Sequence, residues 1–325
     1  MTKTPSIITI GNFDGVHLGH RHLIDTMMNF SQSKNNREEF FQAHTHIKEN
    51  YTLDIALNPQ PIIITFTPHP AAVLGNKFYI PLMTYAKRSE YLHEISQANI
   101  QEIPFTKEFA KKTSREFCEF LVKEYNLAIL FIGYDLKIGS DRANKDILIQ
   151  HGKELGFAVY AHEPVLNNSQ QIISSTKIRE ALLEGQIQKA NSMLGYAYTL
   201  SGIVEHGFKR GGKLLGFPTA NLSEDTLIVP QKGVYATKVK ILDNKFPLQY
   251  NAVTNIGYNP TFNGNTRTIE TFIIDFDADI YDYQIEVSFY DFIRTEEKCS
   301  SLEELKAKLQ SDVECAKSFF RGNYE

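Results

Sequence analysis

Along the first half of the chain, continuous apolar runs alternate with helical periodicities. Ser6–Phe13 is the first strand candidate, the β-branched run Pro61–Phe66 suits a strand buried on both faces, and Leu127–Gly133 and Phe157–Ala161 are two more buried strands. Between them, Leu23, Ile24, Met27 and Met28 mark one face of a helix, and a second helix is expected over about Tyr85–Ala98. A third begins at Thr113, with Glu116 completing a capping box and Phe117, Phe120, Leu121 and Tyr125 on one side. Such alternation implies a parallel sheet covered by helices. After about Gly185 the period changes. A short helical stretch with Ile187, Ala190 and Met193 leads into strands of alternating polarity. Tyr235, Thr237, Val239 and Ile241 share one face, Lys238 and Lys240 the other, and Thr268–Phe276 and Gln284–Phe292 alternate in the same way. Short strands broken by Gly, Asn and Pro predict an antiparallel barrel. A closing helix is capped by Ser301 and Glu304 and carries the stripe Leu302, Leu305, Leu309, Val313. The expected domains are residues 1–185 and 186–325. The polar stretch Ser31–Gln60 is expected to be an insertion, a surface loop with a partial helix.

Composition narrows the class. A length of 325 residues suits two domains, and 42% hydrophobic with 22% charged residues is ordinary for a soluble globular protein. The net charge of −4, without a strongly basic stretch, argues against a nucleic-acid partner. No apolar run approaches the about 20 residues that span a bilayer. The first ten residues are too short and mixed for a signal peptide, so a cytoplasmic location is expected. Cys118, Cys299 and Cys315 are scattered and form no paired motif, which suits free thiols in a reducing compartment. Small molecules are the expected partners; oligomeric state stays open.

The strongest local pattern in the first half is Gly11-Asn12-Phe13-Asp14-Gly15-Val16-His17-Leu18-Gly19-His20, where a strand ends and a helix begins. Such a junction presents unpaired backbone N–H groups and a positive helix end, which attract phosphate. Two histidines separated by a glycine can turn toward one phosphate; a catalytic zinc would want further ligands. Ile173-Ser174-Ser175-Thr176-Lys177-Ile178-Arg179 opens another helix, with hydroxyls to cap it or donate to phosphate and Arg179 to pair with a triphosphate. Thr65-Phe66-Thr67-Pro68-His69-Pro70 ends the second strand, and His69 is there either a ligand contact or a turn residue without chemistry.

The second half contains Gly207-Phe208-Lys209-Arg210-Gly211-Gly212-Lys213-Leu214-Leu215-Gly216-Phe217-Pro218-Thr219-Ala220-Asn221. It is not a Walker loop, because Gly-Lys is not followed by Ser or Thr. Downstream come Asn255-Ile256-Gly257-Tyr258-Asn259-Pro260-Thr261-Phe262 and Thr268-Ile269-Glu270-Thr271-Phe272, in which Glu270 faces opposite to Ile269 and Thr271.

The first set of motifs resembles the nucleotidylyltransferase superfamily, in particular bacterial FAD synthetases, and the second resembles riboflavin kinases. Together, in this order, they resemble the prokaryotic bifunctional riboflavin kinase/FAD synthetase family over nearly the whole chain. That resemblance implies a Rossmann-like α/β nucleotidylyltransferase domain, then an antiparallel six-stranded β-barrel domain with a C-terminal helix. It implies phosphorylation of riboflavin to FMN and adenylylation of FMN to FAD, with ATP as donor and Mg2+ or another divalent cation. His17 and His20 would stabilise the departing pyrophosphate, within an ATP site of Gly11, Phe13, Asp14, Gly15, Ser174, Ser175, Thr176 and Arg179; His69 and Asp135 would line the flavin side. In the kinase, Gly207, Lys213, Gly216 and Pro218 would hold ATP, and Thr219 and Asn221 the metal. Glu270 would act as general base, and Asn255, Arg294 and Glu297 would contact flavin. The chain departs from the family at Leu136 and Ile138, where Phe is usual, at Asn144, where Gly is, and at Cys299, where Phe is expected. The first three raise a rival, a single-activity riboflavin kinase with a degenerate first domain. A second rival is a flavin-sensing regulator without turnover, against which the intact His17, His20, Thr219, Asn221 and Glu270 argue.

Overall fold

A computed structural model describes residues 4–48, 58–75, 79–205, 218–224, 226–261, 264–297 and 299–323. The chain divides into two compact units, Met1–Ser174 and Ser175–Glu325.

The first unit is built on a five-stranded parallel sheet of β1 (Ser6–Ile10), β2 (Gln60–Thr67), β3 (Asn99–Pro104), β4 (Leu127–Ile132) and β5 (Ala158–Ala161), in the order β3-β2-β1-β4-β5. The central strands are the apolar runs of the sequence: every residue of β1 and of β4 is buried. β3 has no such signal, because as an edge strand it leaves most of its side chains partly or fully exposed. The helices are α1 (Leu18–Gln32), α2 (Lys34–Ala43), α3 (Thr45–Lys48), α4 (Pro70–Val73), α5 (Tyr85–Ile95), α6 (Ser114–Tyr125) and α7 (Lys145–Leu155). Helix α6 starts at the expected capping box: Thr113 caps Glu116 N–H, and the Glu116 carboxylate accepts from Thr113 N–H at 2.8 Å. Helix α1 buries Leu23, Ile24, Met27 and Phe30, while Met28 is only half-buried.

In the stretch expected to be a surface loop with a partial helix, residues 49–57 lie outside the described residues; the described part holds the helices α2 and α3 and is more buried than a surface loop. Ser33 caps α2, and Arg37, Phe41 and Ile47 are buried. Arg37, at 1% exposure, donates to the carbonyls of Phe30 and Ser31 and to Asn58 Oδ1. Phe30 and Phe40 meet Phe131 of β4 edge-on or tilted at 5.9 and 5.8 Å. Burying Phe41 contributes roughly 1.5–3 kcal/mol, so the described part of this segment belongs to the core.

The second unit opens with α8 (Ser175–Leu183) and α9 (Ile187–Leu194). Both are tied to the barrel, Gln231 N–H donating to Leu182 O and the Asn191 amide to Phe289 O. The barrel is closed and antiparallel, in the order β10-β7-β6-β11-β8-β9, from β6 (Thr199–Glu205), β7 (Thr219–Leu222), β8 (Gly233–Ile241), β9 (Gln249–Thr261), β10 (Gly264–Ile273) and β11 (Gln284–Arg294). Tyr235, Thr237, Val239 and Ile241 point inward as the alternation requires. Three inward threonines satisfy one another, Thr237 to Thr254 at 2.8 Å and Thr254 to Thr271 at 3.0 Å. Outside, α10 (Leu302–Asn323) covers Val234, Ala236 and Val253 with Val313, Ala316 and Phe320. Leu302, expected in the apolar stripe, is 65% exposed. The cap is also shifted: Ser301 Oγ accepts from Glu304 N–H, but the Glu304 carboxylate reaches Ser300 N–H.

Candidate active sites

In the parallel sheet the strand order reverses across β1 and β4, and ligands of such sheets bind beyond the carboxyl ends of the strands. The loop 11–17 after β1, the turn at His69 after β2 and Asp135 after β4 all lie there. The β1–α1 loop is tightly wound, with positive φ at Phe13 (49°), Gly15 (82°) and Val16 (33°). Phe13 and Val16 are buried, so packing offsets this strain. His17 is the N-cap of α1, its Nδ1 accepting from His20 N–H at 3.3 Å. In the neutral ring the proton is therefore on Nε2, which makes that atom the donor. The His17 and His20 rings stack at 3.6 Å and 13°. Gly19 permits this: a Cβ there would meet His17 Cε1 at 3.1 Å. His20 also lies edge-on to Phe13 at 5.2 Å, and its Nδ1 is buried without a hydrogen-bond partner. Burial first, and the neighbouring His17 second, pull its pKa well below the ordinary 6.5. A bound anion would oppose both causes.

Other expected site residues also have partners within the protein. The Asp14 carboxylate accepts from Leu82 N–H at 2.9 Å and from Tyr79 Oη at 3.2 Å, and so braces the loop. Tyr79 in turn stacks on His69 at 4.0 Å, and His69 caps α4 through Nδ1 to Ala71 N–H. Arg88 was not legible as a site residue: among the polar side chains of α5 it reads as solvated, yet it is 2% exposed. It donates to Asn12 O at 3.1 Å and Thr67 Oγ1 at 2.8 Å, joining the ends of β1 and β2. Asp135 is exposed in the turn after β4. Ser174 closes the first unit, whereas Ser175, Thr176 and Arg179 begin α8 in the second.

The departures from the family pattern are absorbed by packing. Ile138 is 6% exposed within the core cluster of the sheet, Leu136 packs against that cluster, and Asn144 caps α7 through Oδ1 to Ile147 N–H at 3.2 Å. At these positions the structure shows packing for Leu136 and Ile138 and a helix cap for Asn144.

In the barrel, Glu270 is directly opposite Asn221 on β7 and Asn255 on β9, and Thr219 is opposite Phe272. All lie on the outer face, since the intervening Ile269 and Thr271 are buried inside. The Asn221 amide donates to Thr219 O at 3.4 Å, leaving its Oδ1 as acceptor. Asn255 Oδ1 is buried with no hydrogen-bond partner, an acceptor that a ligand donor would satisfy. Burial, and then the charge of Glu296, raise the Glu270 pKa above the ordinary carboxylate value. Pro218 is exposed beside this row; Gly207, Lys213 and Gly216 lie outside the described residues. Two expected flavin contacts are otherwise engaged. Arg294 grips Asp312 of α10 bidentately at 2.7 and 2.8 Å, and Glu297 pairs with Lys308 at 2.9 Å. Cys299 is half-buried.

Family models match both units: FAD synthetase over residues 1–177 and riboflavin kinase over residues 194–320. The bifunctional riboflavin kinase/FMN adenylyltransferase of Haemophilus influenzae is 34% identical, over 96% of this chain and 94% of that protein. The proteins so named from Escherichia coli K12 (32%, 97% and 92%) and Listeria monocytogenes (31%, 98% and 94%) are similar over comparable spans. Among solved structures, a protein called a macrolide-efflux protein from Streptococcus pneumoniae superposes with a TM-score of 0.80 at 28% identity, over 100% of this chain and 96% of that one. No described helix here is long and apolar enough to cross a membrane. With both models matched in order and such relatives spanning almost its full length, the chain belongs to the bifunctional riboflavin kinase/FMN adenylyltransferase family.

Proposed function

We propose that the two units run consecutive reactions, the second phosphorylating riboflavin with ATP and the first joining the resulting FMN to AMP. The observation that carries the kinase half is the row Asn221–Glu270–Asn255 across three adjacent strands. Glu270 accepts the proton of the ribityl 5′-hydroxyl as that oxygen attacks the γ-phosphorus, and ADP leaves. Its raised proton affinity suits a base, and Asn255 Oδ1 accepts from the flavin substrate. Thr219 and Asn221 offer neutral oxygens on one face, a donor set that fits a hard divalent cation already carrying phosphate oxygens. Such a cation supplies charge neutralisation at the phosphates.

In the first unit, a phosphate oxygen of FMN attacks the α-phosphorus of ATP and pyrophosphate leaves. The His17 Nε2–H and the His20 ring meet the charge gathering on the departing oxygens, at the positive end of α1. Pre-packed donors of this kind need no reorganisation during the reaction. Asp14, Tyr79, His69 and Arg88 act as positioning residues that hold the loop. A cytoplasmic site of action fits the three free cysteines.

Glu270→Gln and His20→Asn test the division of labour. Glu270→Gln should lose roughly 10²–10⁴-fold in FMN formation while still converting supplied FMN to FAD. His20→Asn should do the reverse. Parallel loss of both activities in either folded variant would refute it.

A further inference from the structure

Glu296 follows β11 in an exposed segment, and its charge acts on Glu270. Asn255 and Gly257 sit two apart on the outer face of β9, and Asn255 pairs with Glu270. A Cβ on Gly257 would fall 2.6 Å from Glu296 Oε1 and 3.5 Å from Asn255 Nδ2, so the carboxylate rests on the bare glycine beside the Asn255 amide. A side chain at 257 would push it away. The Glu296 charge reaches Glu270, so two carboxylates stand at the acceptor end of the row. Of the cations nearby in sequence, Arg294 is held by Asp312, and Lys308 by Glu297 and Glu304.

We propose that Glu296 is a specificity residue that makes the kinase site discriminate against its own product: beside Glu270, it keeps the acceptor end negative, admitting the uncharged ribityl hydroxyl of riboflavin and expelling the phosphate monoester of FMN. This rests on the reading of Glu270 as the base. A phosphate monoester carries about −1.5 to −2 charge at neutral pH. Repulsion between unit charges about 4 Å apart is about 1 kcal/mol even in water, or about fivefold in affinity. The effect bears on FMN and leaves riboflavin almost untouched, which assists transfer of FMN from one reaction to the next.

The test uses initial rates of ADP formation by the full chain, with riboflavin varied and FMN added as inhibitor. Adenylyl transfer releases pyrophosphate and no ADP, so ADP reports the kinase alone. In Glu296→Gln the FMN inhibition constant, divided by the riboflavin KM, should fall about fivefold. Gly257→Ala, which displaces the carboxylate without deleting it, should lower the same ratio and carries the test should Glu296→Gln be inactive. A ratio unchanged in both variants, or two constants that move together, overturns the proposal. Wild-type protein that forms no ADP from riboflavin would instead overturn the kinase reading beneath it.

Discussion

Replacing Arg294 with Met separates a structural role from a flavin contact. The guanidinium donates through Nε and Nη2 to both oxygens of Asp312, whose side chain is only 2% exposed, while that of Arg294 is 25% exposed. The variant therefore strands a buried carboxylate. Breaking one side of a buried pair costs about 3–5 kcal/mol. Because water reaches the arginine side of this pair, the lower end applies, about 3 kcal/mol. At about 2–4 °C per kcal/mol for a unit of this size, the melting temperature of the barrel should drop by roughly 6–12 °C. Calorimetric melts of the full chain, with riboflavin KM measured well below the transition, form the assay. Adding Asp312→Leu removes the stranded charge and should restore most of the lost stability, since apolar replacement of a whole pair is close to neutral. An unchanged melt with a strongly raised KM would show that Arg294 holds the flavin and would refute this reasoning.

Three further outcomes are expected. Leu136→Phe with Ile138→Phe adds volume to a filled core and should destabilise the first unit by about 1–3 kcal/mol in denaturant titrations, with KM for FMN and ATP unchanged. Arg37→Ala leaves the Phe30 and Ser31 carbonyls and Asn58 without their donor, and should cost about 2–4 kcal/mol in the same titrations. The folded-state pKa of His20 lies below its unfolded value, so the unfolded chain binds more protons. Stability should be fully present above about pH 6.5 and fall as pH drops below it; melts from pH 5 to 7.5 should show a shallower slope in His20→Asn.

How much of this was legible depended on how local each cause is. The buried strands β1 and β4, the Thr113–Glu116 box and the inward face of β8 follow from period and propensity alone, and the structure agrees with them. The His17–Gly19–His20 geometry was legible because a helix N-terminus and a side-chain-free residue produce it within a few positions. Non-local causes were not legible. No local pattern marks Arg37 and Arg88 as buried, because partners such as Asn58 and Thr67 lie 21 residues away. The bracing of Asp14 was not legible because its partners Tyr79 and Leu82 come from a segment with no motif. The ion pairs of Arg294 and Glu297, expected as flavin contacts, were not legible because Asp312 and Lys308, on α10, are distant in sequence. The packing of Leu136 and Ile138 was not legible because a core position and a pocket wall ask for the same apolar residues.

The most direct test is to incubate the purified chain with riboflavin, ATP and Mg2+ and to resolve the flavins by chromatography over time. The account predicts FMN appearing first and FAD after it, with ADP and then pyrophosphate released in step. Accumulation of FMN with no FAD, or riboflavin recovered unchanged, would contradict it.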